Sequence, residues 1–313
     1  MRLKWLAVFA LLVGCSDGGE GPIPDPCLGQ TGLADPSCQL LVPDKAPALE
    51  KGKADFSCVG SAPQPAQPEK DLIIRGKTNQ RLSNGEDEPK GKVKVEVWVN
   101  QGDLSEKNKI DEDTSDASGN YEVTIPASAW TSASSNGARV AWKISSDDTI
   151  PTIEYNDYLD TDSAKEEGEN FVLEDQKRIT ITRSTQQILL AVLGVEVEFD
   201  NTKGIILGTV RDCDRKETAN VSAGVVDGKG EPIKGPLLFY FSNEFPVARD
   251  EQQFTSEDGK FVILNVPSSS SVDTRIIGLV DNKETLLSRH LVATEADTIA
   301  IVDFDPLSEP FTD

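Results

Sequence analysis

Short runs in which apolar and polar residues alternate with period two constrain this chain more than any other feature. Val93-Lys94-Val95-Glu96-Val97-Trp98-Val99 is the clearest of them. Successive side chains of an extended strand point to opposite faces, so such a run builds a sheet with one buried face. Leu72-Ile73-Ile74-Arg75-Gly76, Tyr121-Glu122-Val123-Thr124-Ile125 and Arg139-Val140-Ala141-Trp142-Lys143-Ile144 read as further strands, separated by turn signals at Asn84-Gly85 and Ser118-Gly119. Short strands punctuated in this way predict an all-β sandwich over 71–150.

The same grammar returns over 204–307. Gly204-Ile205-Ile206-Leu207-Gly208-Thr209-Val210 and Leu237-Leu238-Phe239-Tyr240-Phe241 read as strands around a turn at Gly230–Pro236. Asp258-Gly259-Lys260-Phe261-Val262-Ile263-Leu264-Asn265-Val266-Pro267 parallels Ser118-Gly119-Asn120-Tyr121-Glu122-Val123-Thr124-Ile125-Pro126 with one residue inserted. Repetition of this kind predicts a duplicated module. Between the halves, 151–203 holds Asp160, Asp162, Glu166, Glu167 and Glu169, which read as an acidic linker loop. Within it, Ser184–Gly194 has a capping hydroxyl, good helix formers and a closing glycine, and predicts one short helix between the sandwiches. Residues 15–70 are rich in Gly, Pro, Asp and Ala and read as an extended tether, with Ser61–Pro68 a semi-rigid spacer. Residues 308–313 are left as a tail.

Residues 1–14 fit an export signal: Arg2 and Lys4 open it, and Trp5–Val13 carry no charge but are too few to span a bilayer. Leu12-Val13-Gly14-Cys15 resembles the lipobox of bacterial lipoproteins. That resemblance implies cleavage before Cys15, a diacylglycerol thioether on its sulfur and acylation of its new amino group. Three acyl chains would make the partner a lipid bilayer, held far more firmly than by the one chain whose binding is marginal. Ser16 in place of an aspartate after the acceptor implies the outer membrane of a cell envelope, on its periplasmic or its outer face. Cys27, Cys38, Cys58 and Cys213 remain, and in an oxidising compartment they suggest two disulfides. Four cysteines allow three pairings. The low closure cost of a short loop favours Cys27 with Cys38, which leaves Cys58 with Cys213.

Gly208-Thr209-Val210-Arg211-Asp212, Gly230-Glu231-Pro232-Ile233-Lys234-Gly235 and Thr255-Ser256-Glu257-Asp258-Gly259-Lys260-Phe261 together resemble the carboxypeptidase regulatory-like, transthyretin-related modules. The first half carries chiefly the third of these motifs. Phe56-Ser57-Cys58 and Gly208–Asp214 are also similar to segments of predicted myxobacterial lipoproteins. The resemblance implies two tandem Ig-like or transthyretin-like β-sandwiches and a non-catalytic accessory role. It brings no catalytic residue.

Formal charge is -22, with 53 acidic against 31 basic residues. Such a field repels phosphate backbones, which argues against nucleic acid as a partner. Catalytic patterns are sparse. His290 is the single histidine, beside Arg289, and no G-x-S-x-G elbow accompanies it, so it reads as a solvated or locally hydrogen-bonded side chain. No phosphate-cradling glycine loop points to a cofactor, and no cysteine or histidine spacing points to zinc. Asp111-Glu112-Asp113-Thr114-Ser115-Asp116, with Asp157, Asp160 and Asp162, offers hard oxygens for calcium, but the glycine and glutamate of an EF-hand loop are missing, so no metal site is assigned. Trp98 and Trp142 fall on apolar strand phases and read as core; Tyr155 and Tyr158 read as exposed contacts. The expected function is a membrane-anchored structural or binding module for an envelope protein or glycan. A hydrolase, or its accessory subunit, using loop carboxylates is the alternative.

Overall fold

Strands dominate the computed structural model, which describes residues 39–60, 70–82, 86–99, 102–129, 139–159, 163–192, 200–242, 245–247 and 252–306. The export signal, Cys15, Cys27, Cys38, Asp160, Asp162 and the tail lie outside the described residues. A short hairpin comes first, β1 (Ala48–Leu49) with β2 (Gly52–Lys53). The first half supplies β3 (Leu72–Arg81), β4 (Asp87–Pro89), β5 (Lys94–Val99), β6 (Lys109–Thr114), β7 (Asn120–Ile125), β8 (Arg139–Ser145), β9 (Thr149–Ile150), β10 (Thr152–Tyr158), β11 (Lys165–Glu167) and β12 (Asn170–Thr182). Helix α1 (Arg183–Val192) follows, and the second half supplies β13 (Lys203–Val210), β14 (Ser222–Val226), β15 (Leu237–Ser242), β16 (Phe245–Val247), β17 (Lys260–Pro267), β18 (Ser269–Val280), β19 (Lys283–Thr294) and β20 (Ile299–Phe304).

The chain is all-β, as the alternation predicts, and its two sandwiches share a layer. One nine-stranded sheet runs β16-β15-β17-β13-β20-β10-β8-β5-β6. The halves join where β10 pairs in parallel with β20, Thr152 opposite Ile299 through Tyr155 opposite Val302. A second sheet, β11-β12-β3-β4 with β7 beside β3, covers one face of this shared layer in the first half. Val95, Val97, Val140, Trp142 and Ile144 pack there against Leu72, Ile74, Val123 and Ile125. A third sheet, β14-β18-β19, belongs to the second half. Beneath it lie Ile206, Ile263, Val302 and Phe304, together with Trp98, Ala141, Ile153 and Tyr155 reaching over from the first half. Trp98 and Ala141 therefore serve the opposite face from Val97 and Trp142, as period-two strands require.

The duplicated turn is built identically twice. Gly119 and Gly259 sit at φ +83° and +64°, and their carbonyls accept the amides of Thr78 and Val210 respectively. The following aromatic then lies across a glycine of the opposing strand, Tyr121 across Gly76 and Phe261 across Gly208. A Cβ on Gly208 would meet the Phe261 ring at 2.1 Å, so only hydrogen fits.

Two expectations need correction. Residues 151–203 are not simply an acidic linker loop: β10 and β12 are core strands, with Ile153, Tyr155, Val172 and Leu173 buried. Their acids hid the pattern because arginines from other strands neutralise them. The sandwich predicted to end at 150 continues to 182, and only then comes the helix, whose first turn is capped by Thr182 Oγ1 accepting the Thr185 amide at 3.2 Å. The extended tether predicted for 15–70 is likewise interrupted, since residues 39–60 dock on the second half, with Gln39 and Phe56 buried. The disulfide Cys58–Cys213 closes this docking, Cα to Cα 6.0 Å across a sequence separation of 155.

Candidate functional site

The densest chemistry lies where the halves meet, along β8, β10, β12 and β20. Arg139, buried at the start of β8, places Nη1 2.7 Å from Asp305 Oδ2 just beyond β20. The same nitrogen donates to Asn156 Oδ1 at 3.0 Å. Asp303 on β20 accepts from Arg211 Nε at 3.0 Å. On the other face of β10, Arg178 of β12 donates Nη1 to Glu154 Oε2 and Nη2 to Asp157 Oδ2, both at 2.8 Å. Its guanidinium lies 4.0 Å from the Trp142 ring centroid, and Trp142 Nε1 donates to Asp157 at 2.8 Å. Charges buried in this way persist only when paired, so these contacts are what allows acidic strands inside the fold.

Burial governs titration here. It pushes the Glu154 carboxyl up to about 7, against the pull of Arg178 and helped by the Asp157 charge. It also raises the Asp303 carboxyl, opposed by Arg211. His290 on β19 is fully buried, and burial first, then the Arg139 charge, pushes its imidazole down to about 3. Neither ring nitrogen has a hydrogen-bond partner, and the ring packs 5.4 Å from Tyr155. The imidazole is therefore enclosed and held neutral, with no hydroxyl or carboxylate bonded to it. The solvated or locally hydrogen-bonded histidine expected from sequence is thus a core residue without a hydrogen bond, because its strand phase faces the interior.

Other sequence candidates separate clearly. Trp98 and Trp142 are core residues. Tyr155 is buried, its hydroxyl accepting the Ala293 amide at 3.0 Å, while Tyr158 is 42 % exposed beneath the guanidiniums of Arg139 and Arg215. Tyr155 pairs inside the shared sheet, which the acidic surroundings concealed. Asp111, Asp113 and Asp116 do not converge on one point. Asp111 Oδ2 accepts the Thr124 amide at 2.7 Å, Asp113 Oδ2 the Glu122 amide at 2.8 Å, and Asp116 Oδ1 the Asn120 amide at 2.9 Å. Carboxylates of β6 thereby satisfy the free edge of β7 and close a seam between two sheets. Among the described residues no group of three or more His, Cys, Asp or Glu is placed to hold a metal ion. Glu167 belongs to a surface cluster in which Arg75 contacts Glu122 at 2.7 Å, Glu167 at 3.2 Å and Glu174 at 3.3 Å, while Glu166 pairs with Lys70 at 3.5 Å.

Sequence reading missed Arg139 and Arg178. The available signal was a cation standing within a β-branched or aromatic run, Arg139-Val140-Ala141-Trp142 and Arg178-Ile179-Thr180-Ile181. A charge in such a strand demands a buried counterion.

No family model and no curated protein sequence matches the chain. Among solved structures, it is similar to 3-chlorocatechol 1,2-dioxygenase from Rhodococcus opacus 1CP at 13% identity, covering 45% of this chain and 73% of that one with TM-score 0.25. The shaft pilin SpaA from Lactobacillus rhamnosus GG matches at 8% identity over 75% and 98%, with TM-score 0.19. The Bacillus anthracis TIE protein matches at 9% over 75% of this chain and 34% of that one, with TM-score 0.22. Similarity this low transfers no activity.

Proposed function

We propose that this chain is a lipid-anchored envelope protein whose two sandwiches form a rigid, non-catalytic structural or binding module for a protein or glycan partner. The observation that carries the reading is the shared nine-stranded sheet, whose β10–β20 pairing makes the halves one stiff element instead of two beads on a linker. Ion pairs crossing the same junction, Arg139 with Asp305 among them, commit the buried charges to holding the halves together. A carbohydrate-cleaving role is less well supported, since Glu154 and Asp157 both face Arg178 between two sheets and not an open cleft. The membrane attachment rests on Leu12-Val13-Gly14-Cys15 and its resemblance to a lipobox. Metabolic labelling with a palmitate analogue tests it: the intact chain incorporates label, Cys15→Ala does not, and equal labelling of both refutes the attachment. Protease shaving of whole cells then reports which face of the envelope carries the module.

A further inference from the structure

Chain order would put the first sandwich nearest the bilayer, because its strands follow directly on the amino-terminal segment. The docked residues 39–60 reverse that order. Gln39 acts as a stand-in for backbone at the edge of β14: its Oε1 accepts the Val225 amide and its Nε2 donates to the Ile233 carbonyl, both at 2.9 Å. Leu40 N donates to Ala223 O at 3.3 Å, and Ala48 and Ala219 exchange both backbone bonds at 3.2 and 2.8 Å. The segment then crosses the second half, where Cys213 N donates to Asp55 O at 2.8 Å, Phe56 enters the core and Cys58 is bonded to Cys213. The far side of the second half is where this strap begins. Tyr240 of β15 accepts the Ala223 amide at 3.0 Å, so β14 lies over β15, next to the outer strand of the shared sheet. From β15 to β6 at the opposite end is seven strand spacings, about 35 Å at ~4.8 Å each.

We propose that the strap 39–60 makes the second sandwich membrane-proximal and places the β6 end of the first sandwich distal to the bilayer. This rests on attachment through Cys15, which lies 24 residues before Gln39. The β14 edge is thereby covered by the chain's own strap and is not offered to another strand. Pull from the bilayer reaches the fold at Gln39 and passes along the strap to the disulfide, so the first sandwich is not on that path.

The test uses the mature chain beginning at Cys15, with Cys27→Ser and Cys38→Ser, coupled through the Cys15 thiol to vesicles of phosphatidylcholine containing a maleimide lipid. This coupling supplies attachment whether or not the cell does, so its outcome is separate from that of the labelling experiment. A donor dye is placed through an azide-bearing amino acid at Lys234, beside Ile233, or at Lys107, beside β6, with an acceptor dye on the lipid headgroups. Several-fold greater energy transfer from position 234 than from position 107 is expected. Equal transfer, or greater transfer from 107, overturns the proposal. Adding Gln39→Ala, Cys58→Ser and Cys213→Ser should shrink the difference between the positions. A difference that survives this change in a folded variant shows that the strap does not set the orientation and also overturns it.

Discussion

Acidifying the protein, with and without His290→Leu, isolates the energetic consequence of an imidazole enclosed without a partner. The unfolded chain binds a proton there at the ordinary value of 6.5, whereas burial and Arg139 push the native value down to about 3. Between those values the unfolded state holds more protons, so stability rises with pH and is lost as pH falls through 6.5. At about 1.4 kcal/mol per unit, the full window from 6.5 to about 3 represents roughly 5 kcal/mol. Glu154 works in the opposite direction. Its native value of about 7 against an ordinary 4.5 means that the folded state holds the extra proton between them, so this group favours folding as pH falls toward 4.5. In the intact protein the two slopes offset each other over the overlap. In His290→Leu the imidazole's slope is gone while the Glu154 slope remains. Urea denaturation followed by the fluorescence of the buried Trp98 and Trp142 measures both. The stability of intact protein minus that of His290→Leu should fall by about 3 kcal/mol between roughly pH 7.5 and pH 4.5. Subtraction removes the paired surface carboxylates, which are common to both. A difference that stays flat across the range refutes the assignment of a neutral, enclosed imidazole.

Gly208→Ala should destabilise by at least about 1–3 kcal/mol through the Phe261 ring, while Gly228→Ala, where a Cβ meets nothing within 4 Å, should change stability by less than about 0.5 kcal/mol; thermal melts compare them. Arg178→Met should cost about 3–5 kcal/mol by leaving Glu154 and Asp157 without their cation, and adding Glu154→Gln with Asp157→Asn should recover part of it. Equal loss in the single and triple variants would contradict an ion-pair origin. Cys58→Ser with Cys213→Ser should lower the unfolding free energy by up to about 5 kcal/mol, the chain-entropy value for so long a loop. Hydrogen exchange should then rise first at Gln39–Val59, and a rise spread evenly over both halves would contradict the strap.

The repeated Gly-polar-aromatic turn was legible in sequence and folds as read, since a turn glycine and its flanking alternation are local properties. Cys58 with Cys213 could be reached only by eliminating other pairings, because nothing local joins residues so far apart. The strands β10 and β12 were not legible as core. Their acids break the apolar period, and what restores it is Arg178 standing on the far side of Glu154 and Asp157. His290 was misplaced for the same reason: a single polar residue gives no periodic signal, and its burial follows from Tyr155 and Arg139, which other strands bring to it.

By itself, then, the sequence determined an all-β chain with a duplicated turn and two sandwiches, because period-two burial and glycine turns act over a few residues. Only the tertiary structure decided that the sandwiches share one sheet, that Arg178 stands against the acids of β10, and that the amino-terminal segment straps the second half. Those outcomes depend on pairing between strands distant in the chain, and free energy of that kind exists only once both partners are in place.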